Sequence, residues 1–456
     1  MQDTDADGFR TILLITIIAM ADVAFMPLTI RGLTLKNRFI KAATHDGASF
    51  EDIATAYCRL AKNGVALLTV AYVGVSCRNK TFDNQHHIAA SNLGEWSALV
   101  NRVRADGGAL SAQLHHPGLF CMASTGQPIG PSFSWLPSKL AWPHVMTVDE
   151  LHAITQEYVA AARLCVAAGF AAIELHCGHG YLLSQFLSPL INRRRDGYGG
   201  GTMARARFPT EVLRAVRDAV GAEFPLLIKM NADDGFAGGM RIDEAVIVAR
   251  LLADAGADAI VPSFGYTALN GFGMLRGDVP LSEMAQAMPK GSKTLTRVLG
   301  RCLVPTIPFE STFLLEHAKR FVAALAGTQT VVIYVGGADS LASVQQVLSM
   351  GCAAVQLGRP LLREPWYVRR LEAAYAAQQQ LQQQQRPQQQ QQQQLDVYLG
   401  DVEDVALPPA DLGVSKCVRC NRCTLAAIDP VLFPSGCPLT LPGEGRQYGD
   451  ATSELT

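Results

Sequence analysis

The residues best suited to chemistry fall in one short stretch, Glu174–Tyr181 (ELHCGHGY). His176 ends an apolar run, His179 follows three residues later, and Tyr181 two after that. At the end of a buried strand, two imidazoles can both donate hydrogen bonds to one oxygen, and a phenol beside them can give a proton. Taken alone, the spacing also fits a zinc site or a buried structural pair. Two later segments suit phosphate: VGGADS, with Gly336 and Gly337, and LGRPLL, with Gly358 and Arg359. Glycine lets backbone N–H groups approach an oxyanion, a helix N-terminus adds positive potential, and a guanidinium pairs with phosphate. A fourth feature is Cys417-x2-Cys420-x2-Cys423-x13-Cys437. Four thiolates at such spacing suit a [4Fe–4S] cluster or zinc, or stand as thiols without metal.

These residues need a scaffold, and its pattern is a recurring pair: a short apolar, β-branched run, then an amphipathic helical stretch. Eight runs stand out, at 37–43, 65–73, 109–115, 171–176, 225–230, 258–263, 330–335 and 353–358. Helical text such as RIDEAVIVARLLADAGA places apolar residues three and four apart. Alternating strands and helices imply a parallel sheet covered by helices, and eight units fit a closed (β/α)8 TIM barrel. No GxGxxG follows the first run, which argues against an open doubly wound sheet. Long connections after the third, fourth and sixth runs lie on the side where strands end, where such barrels build their active sites.

Composition sets the outer bounds. The 456 residues are 49% hydrophobic, ample for a large core. With 39 basic and 40 acidic residues the formal charge is −1, and nothing in it invites nucleic acid. Eleven cysteines, an odd number, do not make a secreted disulfide framework. Four segments are expected: an N-terminal extension (1–26), the barrel (27–375), a glutamine-rich low-complexity insertion (376–395) that is disordered or loosely helical, and a C-terminal tail (396–456) with the cysteine cluster. The apolar run Ile12–Met20 is too short to span a membrane and follows Asp3, Asp5 and Asp7. A cytoplasmic location is expected, with organellar targeting as the alternative.

The string from His176 through His179, Gly180, Tyr181, Gln185, Asn192, Asp196 and Tyr198 resembles that of the Old Yellow Enzyme (NADH:flavin oxidoreductase) family, including the barrel of 2,4-dienoyl-CoA reductase. The resemblance extends over about residues 27 to 375. No counterpart of the FAD- and NADPH-binding domains of dienoyl-CoA reductase is expected. By resemblance, Ala43, Thr44 and His45 approach the flavin, where the family more often has Thr, Cys or Ser. Gln113 of QLHHPG would bind the flavin ring. Lys229 replaces a frequent arginine beside the ring, keeping the charge but losing the planar fork. The phosphate at Gly336, Gly337, Gly358 and Arg359 would be that of FMN. The cysteine spacing departs from the family's cluster motif in its second and last gaps.

What this resemblance implies is an FMN-dependent enzyme using NADH or NADPH to reduce α,β-unsaturated carbonyl compounds by ping-pong hydride transfer. His176 and His179 would hold the substrate oxygen and Tyr181 would supply a proton. Two alternatives stand beside it: an FMN/iron–sulfur dehydrogenase or demethylase on the same barrel, and a non-enzymatic metal-bearing scaffold. A small-molecule substrate, a nicotinamide cofactor and a homo-oligomer are the expected partners; a tRNA-acting barrel would want a basic face.

Overall fold

The computed structural model describes residues 23–45, 47–122, 124–133, 142–287, 306–395 and 413–421. Ile12–Met20, Cys423 and Cys437 lie outside them. Eight strands form one closed barrel: β1 (Phe39–Thr44), β2 (Leu67–Gly74), β3 (Ala109–His115), β4 (Ala172–Cys177), β5 (Leu226–Asp233), β6 (Ala259–Phe264), β7 (Val331–Val335) and β8 (Ala354–Leu357). They follow chain order around the ring, every neighbouring pair is parallel, and β8 closes onto β1 through Val355, Gln356 and Leu357. All eight expected runs become barrel strands, with ends shifted by a few residues at most.

The strands read as near-continuous apolar text because both faces are buried. Outward residues such as Ile173, Leu175 and Cys177 pack into the layer shared with the helices. Inward residues Ile40, Leu67, Ala172, Leu227, Ala259, Ile333 and Ala354 fill the lower interior. The helix Val148–Ala168, which delivers the chain to β4, shows how local sequence sets the frame. Thr147 caps its start, with Glu150 completing a capping box, and Gly169 ends it at φ 88°.

Before the first barrel strand the chain makes a short hairpin. Leu33–Leu35 does not lead directly into that strand. It pairs antiparallel with Leu28–Ile30, forming a hairpin whose Leu28, Ile30 and Leu35 join the lower interior cluster. Arg31, at the turn with φ 52°, reaches Asp258 at 2.7 Å. Asp258 also accepts from Arg217 Nη2 at 2.5 Å and from the backbone N–H of Leu226 at 2.8 Å. The hairpin therefore plugs the end of the barrel opposite the site.

The C-terminal portion wraps back. A helix spans Tyr367–Leu395, carrying across residue 375 into the glutamine tract. Residues 413–421 then lie against the loops after β7 and β8. Leu341 donates its N–H to Gly413 O at 3.0 Å, and Ser415 donates to Asp339 O at 2.6 Å. Among the described residues, no helix is long and apolar enough to cross a membrane.

Asp258 is the buried acceptor of this lower end, so Asp258→Ala leaves Arg217 and a backbone N–H without their partner. The expected cost is about 3–5 kcal/mol, the usual penalty for breaking a buried pair, read as a fall in the urea midpoint at unchanged m-value.

Candidate active site

Strand alternation decides what faces inward on β4. Ala172, Glu174 and His176 point to the interior, while Ile173, Leu175 and Cys177 pack outward. Above β4, His179 sits in the left-handed region at φ 60°, and Gly180 follows at φ 84°. A Cβ on Gly180 would lie 2.3 Å from the Tyr266 ring, so only glycine lets the turn approach that ring. The Asn231 side chain accepts the His179 N–H at 2.9 Å and donates to Asp234 at 2.8 Å, tying the turn to β5.

One cavity of about 430 Å³ opens at the C-terminal ends of the strands. Ala43, Thr44, His45, Gln113, His176, His179, Tyr181, Lys229, Gly336, Gly337, Gly358, Arg359 and Cys417 all line it. Residues far apart in the chain are thus brought to one chamber. Cys420 is half-buried and is not among the lining residues. Among the described residues no three His, Cys, Asp or Glu side chains are grouped to hold a metal.

The two imidazoles touch each other. His176 Nε2 lies 3.0 Å from His179 Nδ1, and His179 Nε2 lies 2.7 Å from Ser263 Oγ. Because a hydroxyl both donates and accepts, Ser263 supports either tautomer of His179. Tyr181 donates its hydroxyl to Tyr72 at 3.1 Å. Tyr72 is itself the hub of a stack, parallel to His115 at 4.8 Å and to His176 at 5.5 Å. Burial holds His179 down at about 3 and His176 well below its ordinary value, so both are neutral near pH 7. Burial also pushes the Tyr181 phenol well above its ordinary value, so it keeps its proton.

Below this layer, Glu174 is fully buried between three donors: Gln113 Nε2 at 2.7 Å, Gln356 Nε2 at 2.7 Å and Lys229 Nζ at 3.3 Å. Among the described residues, the Oε1 atoms of Gln113 and Gln356 are buried and accept no hydrogen bond. At the far end, Gly337 has φ 81°, and a Cβ there would lie 2.9 Å from Glu310 O. Arg359 donates to Arg276 O at 2.9 Å and to Asn421 Oδ1 at 2.6 Å, while Asp339 pairs with Arg419. The segment 413–421 therefore supplies part of the wall beside the glycine loops.

Several lining residues carried no signal in the sequence. Tyr72, Ser263 and Gln356 sit in ordinary strand text, and their inward alternation was the only available hint. Ser415 and Arg419 come from the tail, whose return to the barrel no local pattern announces. The remaining wall is apolar and aromatic, with Phe82, Phe264, Phe309, Phe313, Met274 and Met284.

A closed parallel barrel with neutral paired imidazoles and a phenol at its mouth, above buried amide acceptors, fits an oxidoreductase of the Old Yellow Enzyme type. The chain belongs to the NADH:flavin oxidoreductase / NADH oxidase family, whose model matches residues 24–268. It is a flavin-dependent NAD(P)H oxidoreductase. It is 34% identical over 357 residues to the 4,4'-dithiodibutanoate disulfide reductase of Rhodococcus erythropolis, covering 76% of this chain and 88% of that one. It is 30% identical over 354 residues to an NADPH dehydrogenase of Clostridium acetobutylicum, covering 75% and 93%. The old yellow enzyme homologue of Zymomonas mobilis shares the fold, with a TM-score of 0.56, 21% identity, and coverage of 75% and 90%.

Four buried histidines also set a pH dependence of stability. Burial holds His116 and His179 down at about 3, and His115 and His176 well below the ordinary 6.5. Between about 6.5 and 3 the unfolded chain binds protons that the folded one refuses, so stability falls as pH drops through that window. Each group contributes up to about 1.4 kcal/mol per pH unit. Urea midpoints should hold steady above pH 7 and decline from about pH 6.5 downward.

Proposed function

We propose that this enzyme binds FMN across the barrel mouth and, with NADH or NADPH as reductant, reduces α,β-unsaturated carbonyl compounds in ping-pong fashion. The observation that carries this reading is the shared edge of His176 and His179 beside Tyr181, above two buried amide oxygens that lack a donor among the described residues. A planar ring bearing an N–H is what such acceptors suit. Ala43, Thr44, His45, Gln113 and Lys229 would hold the ring, and Gly336, Gly337, Gly358 and Arg359 its phosphate. FMN, when bound, supplies the hydride chemistry between nicotinamide and substrate.

The chain's own residues supply position and polarity. A substrate oxygen entering at the His176–His179 edge displaces their mutual hydrogen bond and accepts from both rings. His179 then presents Nδ1–H, with Ser263 donating to its Nε2. Two neutral N–H donors in a water-poor chamber stabilise the negative charge that develops on that oxygen. Tyr181, held as a neutral phenol, is placed to give its proton to the α-carbon. The aromatic wall excludes water and favours flat, apolar substrates.

A second reading is favoured by the 34% identity to a disulfide reductase. Two electrons and two protons convert a disulfide into two thiols, and NAD(P)H and the site's acids can supply both. One experiment separates the readings. The purified protein should be yellow and release FMN on denaturation; NADH or NADPH should bleach it anaerobically. Reoxidation is then followed with a panel of enones and with 4,4'-dithiodibutanoate. Reoxidation by the disulfide alone would replace ene-reduction by disulfide cleavage.

His176→Ala and His179→Ala are each expected to slow enone-driven reoxidation by roughly 10²–10³, the cost of one oxyanion donor, while FMN stays bound. Wild-type rates in both variants would sink the assignment of these imidazoles.

A further inference from the structure

Glu174 lies in the middle of β4, with no solvent exposure and no place among the residues lining the cavity. Its contacts all lead there. Gln113 on β3, Gln356 on β8 and Lys229 on β5 are cavity-lining residues, and each turns a donor toward the carboxylate. A carboxylate only accepts, so both amides must point their NH2 groups at Glu174. Their carbonyl oxygens are thereby left as acceptors, and among the described residues both are buried without a partner. The same carboxylate is 3.3 Å from the Lys229 ammonium, which it partly neutralises.

We infer that Glu174 is the positioning residue of the flavin site, acting in two ways. It locks Gln113 and Gln356 as acceptors toward the ring. It also offsets the charge of Lys229, so the flavin is harder to reduce than Lys229 alone would make it. This rests on reading the cavity as the FMN site. The physical argument is electrostatic: a reduced flavin carries more negative charge than the oxidised ring, and a nearby cation favours it. Gln356, absent from the residues marked by the motif, becomes a flavin-binding residue by the same logic.

The test compares Glu174→Gln and Glu174→Asp with wild type, reading FMN dissociation constant and midpoint potential rather than turnover. Glu174→Gln removes the charge and brings an NH2 of its own, so one neighbouring amide must flip. Its relative affinity for reduced over oxidised flavin should rise roughly tenfold, about 30 mV upward for a two-electron couple. Glu174→Asp keeps the charge but is one methylene shorter and cannot reach both amides. Its FMN dissociation constant should rise roughly tenfold, about one hydrogen bond's worth, with a smaller rise in potential than in Glu174→Gln. Wild-type affinity and wild-type potential in Glu174→Gln would overturn the inference while leaving the FMN reading intact. A wild-type protein that neither carries nor binds FMN would overturn both. If Glu174→Gln is insoluble, an unchanged FMN affinity in Glu174→Asp overturns it.

Discussion

A carboxylate at the centre of a barrel is the constraint on which the site depends. Withdrawing a carboxylate from water costs several kcal/mol unless donors replace the lost solvent. For Glu174 those donors come from β3, β5 and β8, so none is present until the barrel has closed in its native register. Slipping β4 by one residue would turn Glu174 outward into the helix layer and put Leu175 inside. Strand pairing, closure and the placement of His176 two residues on are therefore satisfied together or not at all.

Above that charged layer the site changes character. Neutral imidazoles, a phenol held in its protonated form and an aromatic wall surround a chamber of about 430 Å³. Burial produces all of it at once. It keeps His176 and His179 uncharged, keeps the proton on Tyr181, and would strengthen an N–H aimed at a developing negative charge. Neutral donors can relieve charge on a substrate oxygen without bringing a full cation into an apolar space. The same environment suits any acceptor that gains electron density in the reaction, which is why enones and disulfides are both chemically compatible with it.

The two ends of the barrel divide their labour. The lower end is closed by the hairpin Leu28–Ile30/Leu33–Leu35 and pinned by Asp258 between Arg31 and Arg217. The upper end is left open at the centre and walled by long connections, with residues 413–421 packed against the loops after β7 and β8. A rigid floor and a loop-built rim let substrate-facing residues vary without disturbing closure.

Much of this was legible in the residues themselves. The eight strands are short, local, apolar runs between amphipathic helices, and such periodicity survives without tertiary context. The string His176 to Tyr198 was recognisable by its resemblance to a family motif, because motif spacing is also local, whereas the spacing of the two histidines alone left zinc or a structural pair open. Tyr72, Ser263 and Gln356 were not legible, since a residue on a buried strand becomes part of a site only through the register of its neighbours. The hairpin plug and the return of residues 413–421 were hidden for the same reason: each depends on contacts between distant segments. The sequence by itself determined the barrel and the identity of the imidazole pair. The tertiary structure alone decided that the imidazoles bond each other, that Ser263 and Tyr72 hold their partners, and that Glu174 orients the amides beneath. Those outcomes follow from ring closure, which sets three-dimensional neighbours that no stretch of chain encodes locally.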